Sequence, residues 1–183
     1  PVFASHSSCR AICNAARNMT DDMIRDLAKH GGIIQINYHV GFLSQEFRDA
    51  EAAHPELQKG IEAEIKKRCG DDENCSSVVG DQIVREYMQS GKLPRVDWTK
   101  IIEHIDHAVK VAGIDHVGLG SDFDGAMMPF GMEDASHLPQ ITDGLLQKGY
   151  SDSDIRKILG ENTLRLLQQV QQASIHLNSA SPQ

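Results

Sequence analysis

Three short apolar runs, at 1–5, 33–37 and 116–120, alternate with stretches of helical periodicity, and this constrains the fold more than any other feature of the chain. Runs of this length rich in Val, Ile and Phe read as buried strands. Thr20, followed by Asp21 and Asp22, predicts a helix start, with Met23, Ile24 and Leu27 turned inward and Gly31-Gly32 ending it. Asp97 predicts the cap of a second helix that buries Ile101, Ile102, Ile105 and Val109 and stops at Gly113. A helix is expected over 138–148. Another opens at Ser151, where Asp154 gives capping-box spacing, and runs with a bend at Gly160 to about Ala173. The Ser-rich tail ending in Pro182-Gln183 is expected to fray.

Such alternation predicts an α/β fold with parallel strands joined by crossover helices. Three strands cannot close a barrel and leave an apolar edge open. Either this is a small open α/β unit or further chain completes the sheet. The sequence begins directly on Pro1-Val2, with no initiator Met, signal peptide or polar leader, and the expectation is a segment of a longer polypeptide.

From 42 to 94 the alternation lapses. Residues 46–67 are charged and helix-prone with a break at Pro55, 69–75 form a polar loop flanked by Cys69 and Cys75, and 76–89 suit a helix. Its apolar content is thin, so this stretch reads as a helical insertion within the single domain 1–183. Cys69 and Cys75 suit a disulfide in an oxidising compartment, which leans toward a secreted or periplasmic setting, or else remain free thiols. Eighteen Lys and Arg against 26 Asp and Glu give a net charge of -8, and with no basic stripe this speaks against nucleic acid as a partner. No apolar run is long enough to span a bilayer as a helix.

In parallel α/β proteins reactive groups gather beyond the C-terminal ends of the strands. Two candidates fall there: His6, a nitrogen ligand suited to zinc, and Asp122, an oxygen ligand or general base. On spacing alone a second reading stands beside this one, with His6 a hydrogen-bonded loop residue and Asp122 a helix cap.

Three motifs carry a resemblance. Residues 1–18, with Ser5-His6-Ser7-Ser8 and Arg17-Asn18, residues 113–125, with Gly-Leu-Gly-Ser-Asp-Phe-Asp-Gly at their end, and residues 160–165, Gly-Glu-Asn-Thr-Leu-Arg, resemble the membrane dipeptidase (renal dipeptidase) family of zinc peptidases. The resemblance implies the C-terminal portion of a (β/α)8 TIM-type barrel, with the N-terminal part of the barrel absent. It also implies a two-zinc site that hydrolyses dipeptides. Of that family's metal ligands only the His of Ser-His-Ser has a counterpart, at His6; the others are expected upstream. By the same resemblance Arg17 holds the substrate's terminal carboxylate, and Asp122 faces the substrate's amino end and moves the proton. The fragment alone is expected to be inactive, and a homodimer is an open option.

Other groups are weighed against blander roles. Asp122-Phe-Asp124-Gly125 lacks the oxygen ligands of a calcium loop and reads as a turn. His104 and His107 share a predicted helix face best read as solvated. His39 is at best a pocket wall, and Tyr38 and Phe42 either line that pocket or pack. The resemblance implies a disulfide partner at Cys13, but the matching position is Gln45, so no bridge is expected there. Two rival readings remain: another TIM-barrel enzyme with a phosphate site after its last strands, and a non-catalytic truncated module whose exposed sheet edge recruits another chain.

Overall fold

The apolar runs become three parallel strands in the order β1 (Phe3–Ser7), β2 (Ile33–Ile36) and β3 (Val117–Leu119). This computed structural model describes residues 1–180, and the side chains of residues 1–175. β2 pairs with β1 through Phe3–Ile33 and Ala4–Ile34, and with β3 through Ile34–Val117 and Ile36–Leu119. The β1–β2 register slips between Ala4 and Ser7. His6 and Ser7 therefore lie inside β1 and not, as the apolar run suggested, beyond its end. The polar residues there are held by main-chain pairing, which side-chain hydropathy does not report.

Between β1 and β2 runs α1 (Asp21–Lys29), capped by Thr20, whose Oγ1 accepts from Met23 N at 3.3 Å. Ile24 is fully buried, but Met23 is 50% exposed, contrary to expectation, because a neighbour along a helix is turned about 100° away. Between β2 and β3 come α2 (Val40–Leu43), α3 (Gln45–Ala53), α4 (Pro55–Cys69), α5 (Glu73–Gln89) and α6 (Thr99–Ala112). A Cys69–Cys75 disulfide joins the end of α4 to the first turn of α5. Asp72 starts α5 earlier than the sequence suggested, its Oδ1 accepting from Cys75 N at 3.0 Å. Asp97 is not the cap of α6: Trp98 holds that position, and Asp97 forms an isolated bridge with Phe130.

Beyond β3 the chain continues through α7 (Pro139–Gln147), α8 (Asp152–Arg156) and α9 (Asn162–Ala180). Ser151 caps α8 as its spacing with Asp154 predicted. A π-turn over Lys157–Glu161 makes the bend at Gly160. α9 outruns the expected stop at Ala173, since no Gly or Pro follows until Pro182. The predicted fraying at Pro182-Gln183 lies outside the described residues.

Ile34 and Ile36 of β2, Val117 of β3, Ile24 of α1 and Ile101, Ile105 and Ala108 of α6 form the centre of the core. On the other face of β2, Gln35 donates from Nε2 to Thr163 Oγ1 at 3.0 Å. Asn162 donates to Ile114 O at 2.8 Å and Val117 O at 2.9 Å, fixing α9 to the start of β3. Among the described residues no helix is long and apolar enough to cross a membrane.

Candidate active site

Parallel pairing brings the C-terminal ends of all three strands to one edge of the sheet, where a short polar network joins them. Asn37 N donates to Ser7 O at 2.9 Å, Gly120 N donates to Ile36 O at 3.0 Å, and Ser8 Oγ donates to Asn37 O at 3.2 Å. Asn37 is fully buried, and its side chain works in two directions. Nδ2 donates to Asp122 Oδ2 at 3.0 Å, and Oδ1 accepts from His39 N at 2.6 Å. One amide thus sets both the carboxylate and the start of the next loop.

Asp122 stands where the chain leaves β3 in a left-handed turn, with φ 61° at Asp122 and 67° at Asp124. Asp tolerates this conformation better than most residues. The turn closes with Gly125 N donating to Asp122 O at 3.2 Å.

His39 opens α2, its Nδ1 accepting from Gly41 N at 3.0 Å. That bond assigns the proton of the neutral ring to Nε2. Burial holds its pKa below the ordinary imidazole value; the Asp122 carboxylate pulls upward, and Arg17 and Arg48 add to the depression. His39 is therefore a neutral donor standing within the fields of Asp122 and Arg17. Its ring lies 4.8 Å from that of Phe42, centroid to centroid.

Arg17 reaches the same edge from the loop after β1. Its carbonyl accepts from Ser7 Oγ at 3.0 Å, and its guanidinium sits 5.5 Å from the Phe42 ring centroid. The residue is exposed, and among the described residues the guanidinium has no carboxylate partner. A cation laid over an aromatic face and otherwise unneutralised suits capture of an anion.

His6 lies at this end of β1, half-buried, with Nδ1 2.7 Å from Ser5 Oγ and Nε2 without a partner among the described residues. No three His, Cys, Asp or Glu side chains among the described residues come together as a metal-holding group. His6 offers one nitrogen, which is not a metal centre. The described donors alone do not fit a bound metal pair.

The edge thus collects Asp122, Arg17 and His39 around Asn37, with His6 on the adjoining strand. Asn37 escaped the sequence reading as a site residue; its only signal was a polar residue closing a buried run. Tyr38 packs instead of lining a pocket: it is fully buried, edge-on to Phe123 at 5.9 Å. His104 is corrected too. It is no solvated side chain but a fully buried one, held between Cys9 N at 3.0 Å and Leu43 O at 3.1 Å. His107 pairs with Asp21 at 2.8 Å. Cys13 is free and buried, and Gln45 Oε1 accepts from Asn14 N.

Comparison with known proteins adds to this geometry. The sequence pattern of the membrane dipeptidase family, peptidase family M19, matches residues 1–181. Dipeptidase ataJ of Aspergillus terreus is 26% identical over 176 residues, which are 96% of this chain and 32% of that relative. Among solved structures, the probable dipeptidase PvdM of Pseudomonas aeruginosa superposes with a TM-score of 0.67 at 29% identity, over 90% of this chain and 44% of that one. A metallo peptidase of Rhodobacter sphaeroides, solved with a phosphinate mimic of the dipeptide L-Ala-D-Ala, gives a TM-score of 0.63 at 26% identity, covering 92% and 36%. The chain spans about a third of the length of the curated relative it matches.

Proposed function

The chain belongs to the membrane dipeptidase family, peptidase family M19, and on that premise we propose that it supplies the substrate-facing part of a metal-dependent dipeptidase. In this reading the three parallel strands are the C-terminal portion of a (β/α)8 barrel, and residues 42–94 are an insertion in it. The reaction is hydrolysis of a dipeptide. The observation that carries the reading is that one strand-end edge bears both an oriented carboxylate and an unneutralised guanidinium: Asp122 held by Asn37 at 3.0 Å, and Arg17 over Phe42.

Those two groups match the two ends of a zwitterionic dipeptide. Arg17 binds the terminal carboxylate, a task for which a planar fork of donors is suited. Asp122 lies toward the amino end, where an ionised carboxylate attracts the ammonium group and can take and return a proton. Asn37 keeps that carboxylate from rotating, and the Nε2–H of His39 offers the bound substrate a neutral donor. The phosphinate dipeptide mimic held by the Rhodobacter sphaeroides relative supports a dipeptide as the substrate class.

The relatives described as metallopeptidases support a metal, and a nitrogen donor at His6 suits zinc. The reading assigns His6 as one ligand of a two-zinc centre whose other donors come from polypeptide outside these 183 residues.

The test uses the complete protein. Asp122→Asn is expected to lower kcat for a dipeptide by about 10²–10⁴-fold with zinc content, read by mass spectrometry, unchanged. Arg17→Ala is expected to act mainly on KM. Full turnover in the Asn variant refutes the role of Asp122, and an unaltered KM refutes that of Arg17.

A further inference from the structure

We propose that Arg85, on α5 of the α4–α5 hairpin, is a positioning residue for Asp122, a role that rests on the dipeptidase reading above. Between α5 and the loop after β3 lies a cavity of about 550 Å³, walled by Val78, Asp81 and Gln82 on one side and Asp124, Met127 and Met128 on the other. Arg85 spans it. Its Nη2 donates to Met128 O at 3.1 Å, its Nη1 to Glu133 Oε1 at 3.2 Å, and its guanidinium lies 4.7 Å from the Phe130 ring centroid. One side chain therefore grips the loop at three points across space that packing does not fill.

The loop needs such a grip. It carries left-handed backbone at Asp122 and Asp124, a conformation that costs energy in a residue with a side chain and persists where surroundings over-determine it. Its near end is tied by Asn37 to Asp122 and by Val40 N donating to Met127 O at 3.0 Å. Its far end is tied by Phe130, which exchanges main-chain bonds with Val96 and Trp98 and carries Arg95 at 3.9 Å from its ring. Met128 lies between these anchorages, and Arg85 supplies its hydrogen bond from α5. Glu133, also held by Arg85, accepts from Gly131 N at 3.0 Å and stiffens the turn that follows Phe130.

Loss of the guanidinium leaves the Asp124–Met128 stretch beside open space, and Asp122 lies at its root. Displacement of about 1 Å in a catalytic group can cost on the order of 100-fold in rate. The hairpin, remote from the strands, acquires through Arg85 a hold on the carboxylate.

Two readouts test this in the complete protein. Hydrogen–deuterium exchange reads the loop without reference to activity: Arg85→Ala is expected to raise exchange over 122–130 while α1 and α6 keep theirs. In dipeptide hydrolysis the same variant is expected to lower kcat by about tenfold or more with KM little changed. Arg85→Lys, which keeps the charge but has a single donor nitrogen in place of the fork, is expected to recover part of both effects. Arg68→Ala, which removes only the exposed Glu64 ion pair on α4, is expected to alter neither. Wild-type exchange in the loop of Arg85→Ala overturns the proposal, as does a loosening spread evenly over all elements. If no dipeptide is cleaved even by the wild-type protein, the dipeptidase reading falls, and the exchange result still decides whether Arg85 holds the loop.

Discussion

His104 shows how much a single residue can commit. Its two ring nitrogens are both spent on main chain, Nδ1 accepting from Cys9 N and Nε2 donating to Leu43 O. That arrangement requires a neutral ring, and burial lowers its pKa from 6.5 to about 4. The unfolded chain takes up a proton as pH falls through 6.5, while the folded chain resists until about 4, so the ring's contribution is complete above 6.5 and drains away below it. The gap corresponds to about 3 kcal/mol withdrawn by pH 4. Urea denaturation from pH 7 to 4 is expected to show this loss, and His104→Asn to give a lower but flatter curve; an equally steep variant curve assigns the acid loss to other groups. In sequence the residue stood three from His107 on a helix, and nothing local told which of the two faced inward. The same limit hid Asn37, whose partner Asp122 lies 85 residues away. Arg17 and Asp122 could be singled out in the sequence as candidates because their motifs are local, a chain segment read whole; the amide that joins the edge together is a tertiary fact.

At the level of elements, local chemistry foretold most of what formed. Thr20 and Ser151 cap the helices they announced, and the apolar runs became strands. Boundaries failed where another segment decides them: β1 extends through Ser7 because β2 pairs with it, and Asp97 yields the cap because Phe130 draws it into a bridge. The residues of the 160–165 motif also find their place here, with Asn162 and Thr163 tying α9 to β3 and β2. Gly120 marks the tightest point of this assembly. A Cβ there would lie 2.3 Å from Ser5 O and 2.9 Å from Gln35 O, both backbone atoms with little freedom to move. Gly120→Ala is therefore expected to cost about 1–3 kcal/mol, comparable to overpacking a core, and to shift the β1 segment that carries His6. Gly60→Ala, whose nearest neighbour is Tyr87 Oη at 3.6 Å, makes the control. In the exposed middle of α4 it is expected to be neutral or to stabilise by up to about 1 kcal/mol. Equal denaturation midpoints for the two variants would show that β1 is free to yield at Ser5.

For the molecule as a whole, the sheet is where the arithmetic is unfinished. With the order β1-β2-β3, each outer strand has one edge unpaired among the described residues. Next to the β1 edge, Val2 is 65% and Phe3 49% exposed, and Leu164, Leu167 and Val170 of α9 also face outward. Exposed edges with apolar neighbours are templates for further strands, and proteins that keep them ordinarily blunt them with charge or cover them. No Lys or Arg lies within residues 1–9, so β1 has no such guard. If the strands are part of a closed barrel, as proposed above, the covering is more barrel. The 183-residue chain expressed by itself is then expected to associate over concentrations of about 1–100 μM in sedimentation velocity. Phe3→Lys is expected to suppress that association by placing a charge on the edge. A longer polypeptide that contains this chain and completes the sheet is expected to lose the sensitivity to Phe3→Lys, since the edge is no longer available. A chain that stays monomeric by itself, with and without the lysine, would mean that its edges are already satisfied, and the barrel would lose its main physical support.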